Sequence, residues 1–127
     1  MTQVNPFLDI LQRKPPQPDL RQPVLQVLKD FCEGISQYAP GDLTCRYVLG
    51  YPTNYGQEYR VVITSTRTKY EHTLLRVYIP ATGTNLKADF YDYQLLDYVD
   101  AGALKLGLET FLAKPETQDA IDAYARA

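Results

Sequence analysis

Glu58-Tyr-Arg-Val-Val-Ile-Thr-Ser65 and His72-Thr-Leu-Leu-Arg-Val-Tyr-Ile79 decide the fold of this chain. Both runs are rich in β-branched and aromatic residues, which pack well on a pleated surface, and both alternate in polarity with a period of two. Runs of the same kind lie on either side of them. The block from Thr44 to Tyr93 therefore reads as four antiparallel strands joined in sequence as a meander.

In a strand, alternate residues point to opposite faces, so parity sorts the side chains. One face collects Cys45, Tyr47 and Leu49, then Tyr59, Val61 and Ile63, then Leu75, Val77 and Ile79, then Leu86, Ala88 and Phe90. This is the expected core face. The other collects Arg46 and Val48, then Arg60, Val62 and Thr64, then His72, Leu74, Arg76 and Tyr78, then Lys87, Asp89 and Tyr91.

Basic and aromatic side chains interleaved on an open sheet are what proteins use to hold phosphates and stack bases. The same face carries enough apolar surface to need covering by a protein partner, a second copy of the chain or the N-terminal arm. Either way, Arg46, Arg60, Val62, Leu74, Arg76, Tyr78 and Tyr91 are its candidate binding residues. In a meander the first and third connections lie at one end of the sheet. That brings Tyr51, Asn54 and Tyr55 near Thr82 and Asn85, a rim of aromatic and neutral hydrogen-bonding groups suited to adaptable recognition.

Helices are expected on both sides of the strand block. Val24 to Ala39 places Val24, Leu28, Phe31, Cys32 and Ile35 on one side at helical spacing, and Pro40-Gly41 stops it. Ala101 to Ala113 and Pro115 to Arg126 read as two further helices, with Asp100 placed to cap the first. At the N-terminus, Asn5-Pro6 opens a short helix, and Lys14 to Pro23 holds enough prolines to form an extended, polyproline-like arm. The organisation expected is a short helix and arm over residues 1–22, followed by one domain over 23–127. The fold class is α+β: an N-terminal helix, a four-stranded antiparallel meander sheet, and C-terminal helices packed on one sheet face.

With 127 residues, 45% of them apolar, the chain can bury a core without a metal or a disulfide. No apolar run nears the roughly 18 residues that cross a bilayer, and the N-terminus lacks a signal-peptide pattern. A cytoplasmic protein without membrane contact is expected, and in it Cys32 and Cys45 should remain thiols that behave as small hydrophobes.

The net charge of −2 is unevenly spread: Thr44 to Lys87 carries six basic against two acidic residues, and Ala88 to Ala127 three basic against eight acidic. Neutralisation within the fold is favoured over a free basic surface, and the pI near 5.3 is far from that of a nucleic-acid-binding domain.

Catalytic signatures are missing. The single histidine, His72, excludes metal sites built from two or three histidines, and parity sets it on the face opposite Cys45. Glu58 and Asp89 share the outer face with Arg60, Arg76 and Lys87, so ion pairing is expected of them rather than acid–base work. No calcium loop, phosphate loop or nucleophile elbow occurs, and no cofactor or metal is implied. The leading expectation is a non-enzymatic protein-binding module of adaptor, chaperone or inhibitor type, self-associating or bound to another protein. The alternatives are a nucleic-acid-binding sheet and, third, an enzyme centred on the acidic and tyrosine residues after Lys87.

Overall fold

The computed structural model describes residues 5–12, 20–81, 85–90 and 95–126. Its elements are helices α1 (Pro6–Gln12) and α2 (Arg21–Tyr38), strands β1 (Leu43–Thr53), β2 (Gly56–Ser65), β3 (Glu71–Ile79), β4 (Leu86–Asp89) and β5 (Leu95–Tyr98), and helices α3 (Ala101–Ala113) and α4 (Pro115–Arg126). The fold is α+β, with the antiparallel strands in the order β1-β2-β3-β4-β5 and helices packed on one face. The proline-rich arm falls outside the described residues from Lys14 to Asp19.

Helix α2 buries Val24, Leu28, Phe31, Cys32 and Ile35, the stripe its periodicity marks out. It starts at Arg21, earlier than expected, and Pro23 sits in its first turn. There a missing N–H costs nothing, because the first amides of a helix have no intrahelical acceptor. The Asp100 carboxylate accepts the Ala103 amide at 2.8 Å and so caps α3. From these helices Leu104, Leu108 and Phe111 of α3 and Ile121 of α4 join the α2 stripe over Leu43, Tyr59, Val61, Ile63, Val77, Leu86 and Ala88 of the sheet.

Among the described residues the sheet has five strands, one more than expected. Strand β5 is short and puts Leu95 and Leu96 side by side, so it shows no alternation. Only its pairing with β4, from Leu86 opposite Tyr98 to Asp89 opposite Leu95, makes it a strand.

A second departure lies inside β3. Val61 pairs with Leu75, but the next residue, Val62, pairs with Thr73, which leaves Leu74 as an extra residue in a β-bulge. Because the side-chain period is two, one extra residue moves everything on its far side to the opposite face. Leu74, expected on the outer face, is 1% exposed and packs in the core beside Leu75. Full burial of such a side chain is worth about 1.5–3 kcal/mol, against about 1 kcal/mol for one disrupted ladder position, so the bulge is favoured.

His72 is also shifted, from the expected outer face to the helix-covered one. Its ring stacks on Tyr124 of α4, with centroids 4.9 Å apart and planes 23° from parallel. Cys45 and His72 thus share a face after all, but Ile63, paired with each of them, stands between. Two strand spacings, about 10 Å, separate the two, which is too far for a cysteine–histidine pair.

Burial lowers the His72 pKa below its ordinary value, so the folded chain prefers the neutral ring. Below about pH 6.5 the unfolded chain binds more protons at this site than the folded one. The contribution of His72 is therefore full above that pH and is lost as the pH falls through the folded-state value. Denaturant titrations between about pH 7.5 and pH 5 should show stability declining, and His72→Phe, which keeps the stacking, should flatten the decline. Equal slopes for the two proteins would show that another group carries the proton.

Candidate functional site

On the outer face, charge and burial are arranged together. On β1, Arg46 reaches over Thr64 to Glu71 of β3, its Nη2 at 2.8 Å from Oε1. In the middle, Arg60 of β2 and Arg76 of β3 are cross-strand neighbours, and Glu58 serves both: Oε1 lies 3.2 Å from Arg60 Nε and Oε2 lies 4.0 Å from Arg76 Nε. The Arg60 contact is off the N–H axis, a charge pair rather than an aligned hydrogen bond. Arg76 also stands 3.9 Å from Asp89 of β4, and Lys87 is 2.6 Å from Asp97 of β5. Each cation expected on this face is thus within 4.0 Å of a carboxylate.

Some side chains on this face are nonetheless buried. Val62 is 6% and Tyr78 8% exposed although both point away from the helices; Val62 lies between Arg46 and Thr73 on the neighbouring strands, and the Tyr55 ring rests against Tyr78. Burial, and then the nearby Glu58 and Asp89 charges, raise the Tyr78 pKa, which keeps its phenol neutral. Arg46 and Glu71 are about half exposed, so their bridge contributes at most about 1 kcal/mol.

Beside this ladder the sheet ends in a cleft of about 750 Å³. Asn54 and Tyr55 of the β1–β2 turn form one wall, Pro80 and Asn85 of the β3–β4 connection the other, and Lys87 and Asp97 close the side. The two connections are neighbours, as the meander requires. The turn is held by its own polar groups: the Thr53 hydroxyl accepts the Tyr55 amide at 3.1 Å and donates to the Gly56 carbonyl at 2.8 Å. The Gln57 side-chain amide donates to the Gly50 carbonyl at 2.9 Å. Tyr55 rests edge-on against Tyr78, centroids 5.5 Å apart, and Lys87 Nζ lies 5.8 Å from the Tyr55 ring centre.

Of the residues proposed from sequence, Arg60, Val62, Arg76 and Tyr78 come together under and within the ladder, with Arg46 at its β1 edge. Asn54, Tyr55 and Asn85 line the cleft. Tyr51 lies outside it, 76% exposed on β1. Leu74 is in the core, and Thr82 and Tyr91 lie outside the described residues. Sequence reasoning left Asp97 out, because its place beside Lys87 exists only once β5 is recognised as a strand.

Among the described residues, no three His, Cys, Asp or Glu side chains gather to hold a metal ion, and no helix is long and apolar enough to cross a membrane. Comparison with known proteins finds no match to this chain among family models, curated proteins or solved structures.

Proposed function

We propose that this chain is a non-enzymatic protein-binding module that takes a segment of a partner protein at the loop end of its sheet. The observation that carries the reading is the cleft between the β1–β2 turn and the β3–β4 connection. It is concave, lined by an aromatic ring and neutral hydrogen-bonding groups, with the Lys87–Asp97 ion pair at its side. Outside the cleft, Tyr51 and Leu49, the latter expected on the core face, are both exposed on β1 and add apolar surface. Tyrosines offer large contact area at small cost in side-chain entropy, which suits them to anchor a partner. Helix α1 supplies further apolar surface, with Phe7, Leu8, Ile10 and Leu11 each at least half exposed.

The ion-pair ladder weighs against the nucleic-acid alternative. A phosphate meeting Arg60 or Arg76 would have to displace Glu58 or Asp89 rather than find a free cation. The test is selection from a random peptide-display library on the folded protein, followed by measurement of the recovered peptides against Tyr55→Ala. Peptides that bind the wild type at least about tenfold more tightly than the variant, with both proteins folded, support the reading. Recovery of no peptide, or of peptides indifferent to Tyr55, sinks it. Light scattering without peptide shows whether a second copy already fills the cleft.

A further inference from the structure

Away from the cleft, helix α2 and strand β1 bring the chain's two cysteines together. Cys32, on the buried stripe of α2, is 5% exposed, and Cys45, on the helix-covered side of β1, is half-buried; neither is in a disulfide. Ser36, one helical turn after Cys32, accepts the Cys45 backbone amide on its hydroxyl at 3.1 Å, which pins this point of the strand to this point of the helix. Both cysteines line one cavity of about 450 Å³ whose rim includes Lys29, Arg46 and Tyr47. Two thiols lining one cavity large enough for a small oxidant, on a helix and a strand already tied together beside them, are not what two independent core hydrophobes require.

The geometry points to a dithiol site at which a hydroperoxide joins Cys32 and Cys45 in a reversible intramolecular disulfide that staples α2 to β1. In the first step the Cys45 sulfur, as thiolate, attacks a peroxide oxygen. The O–O bond breaks, Cys45 becomes a sulfenic acid, and the departing hydroxide takes up a proton and leaves as water. The Cys32 thiolate then attacks the Cys45 sulfur, the S–O bond breaks, and a second water leaves. Two thiols and one hydrogen peroxide give one disulfide and two waters, so the sulfur pair loses two electrons and the peroxide gains them.

The neighbouring Cys32 thiol, and then burial, push the Cys45 thiol up from its ordinary pKa. Its thiolate is therefore scarce near neutrality, and the reaction is a slow staple rather than a fast peroxide trap. Once formed, the bond closes a short loop through the Pro40-Gly41 turn. By removing unfolded-state freedom it should raise the melting temperature by about 10 °C.

The experiment uses the full chain, reduced, freed of reductant and treated with about a tenfold molar excess of hydrogen peroxide. Intact mass is read after denaturing alkylation of the remaining thiols, alongside the melting temperature. The expected product is a monomer lighter by two hydrogens, with no alkylated cysteine and a melting temperature raised by about 10 °C, both changes reversed by a reductant. Cys32→Ser and Cys45→Ser, each separately, should show no such rise. Retention of both thiols overturns the proposal. So do a disulfide between chains, oxidation of Cys45 alone to sulfinic acid, and an internal disulfide that leaves the melting temperature unchanged or lowers it.

Discussion

Gly56→Ala is expected to lower the melting temperature by about 10 °C or more, corresponding to about 3 kcal/mol. Gly56 has φ +119°, a conformation that side chains other than glycine's rarely adopt. It also sits where two hairpins meet: it pairs with Thr53 at the β1–β2 turn, and its neighbour Gln57 pairs with Ile79. A Cβ added there would strike the Ile79 carbonyl and lie 2.8 Å from Pro80 Cα. These are backbone atoms, so relief requires moving the exit of β3. The backbone conformation costs about 1–3 kcal/mol and the displacement a similar amount. Gly41→Ala is the control, because φ there is +83° but a Cβ would meet nothing within 4 Å. It should cost only about 1 kcal/mol. Thermal melts of the two variants decide the matter. Equal losses would mean that the β1–β2 turn and the β3–β4 connection yield to each other, and that the cleft between them is not preformed. A preformed cleft is what the proposed binding function needs, since rigid walls spare the cost of ordering them at the moment of association.

The same two turns show what sequence reading reaches and where it stops. That the connections are neighbours followed from strand order alone, and the stripe on α2 followed from helical periodicity, because both are set by local repeats the chain displays openly. The pairing of Glu58 with Arg60 and Arg76 was legible for a related reason, since parity put one carboxylate between two guanidiniums on adjacent strands. The bulge at Leu74 was not legible. Nothing in Thr73-Leu74-Leu75-Arg76 says which leucine interrupts the ladder; the answer depends on the volume that α2 and α3 leave over the sheet, which is a property of packing. One residue misassigned there carried Leu74 and His72 to the wrong face. Strand β5 escaped because a short edge strand needs no alternation when its partner supplies the pairing. The meeting of Cys32 and Cys45 was hidden in another way. Each was correctly placed on a core-facing surface, but which position of a helix lies over which position of a strand is a tertiary fact.

Glu58→Gln is the second change expected to have a large effect, a loss of about 1–2 kcal/mol that concentrated salt partly restores. The side chain of Glu58 is 13% exposed, and Gly50, having no Cβ, leaves the space its carboxylate occupies. Without the charge, Arg60 and Arg76 face each other across adjacent strands as like charges, and Asp89 remains beside Arg76 alone. Breaking a fully buried pair would cost about 3–5 kcal/mol, but here the guanidiniums are 35% and 38% exposed, so water takes up much of the loss. What remains is repulsion, which weakens as the screening length falls from about 10 Å at 0.1 M salt to about 3 Å at 1 M. Denaturant melts at the two salt concentrations should therefore bring the variant closer to wild type at the higher one. Adding Arg76→Met to Glu58→Gln should cost less than the two single losses together, because the second change removes the charge the first left unopposed. Additive losses that ignore salt would show that Glu58 acts by filling space beside Gly50 and not by its charge. The variant also separates the two readings of the outer face. Weak, salt-removable retention of single-stranded nucleic acid by Glu58→Gln, and none by the wild type, is the expected mark of a face whose neutrality Glu58 maintains. Equal retention by both proteins would turn the assignment back toward phosphate binding.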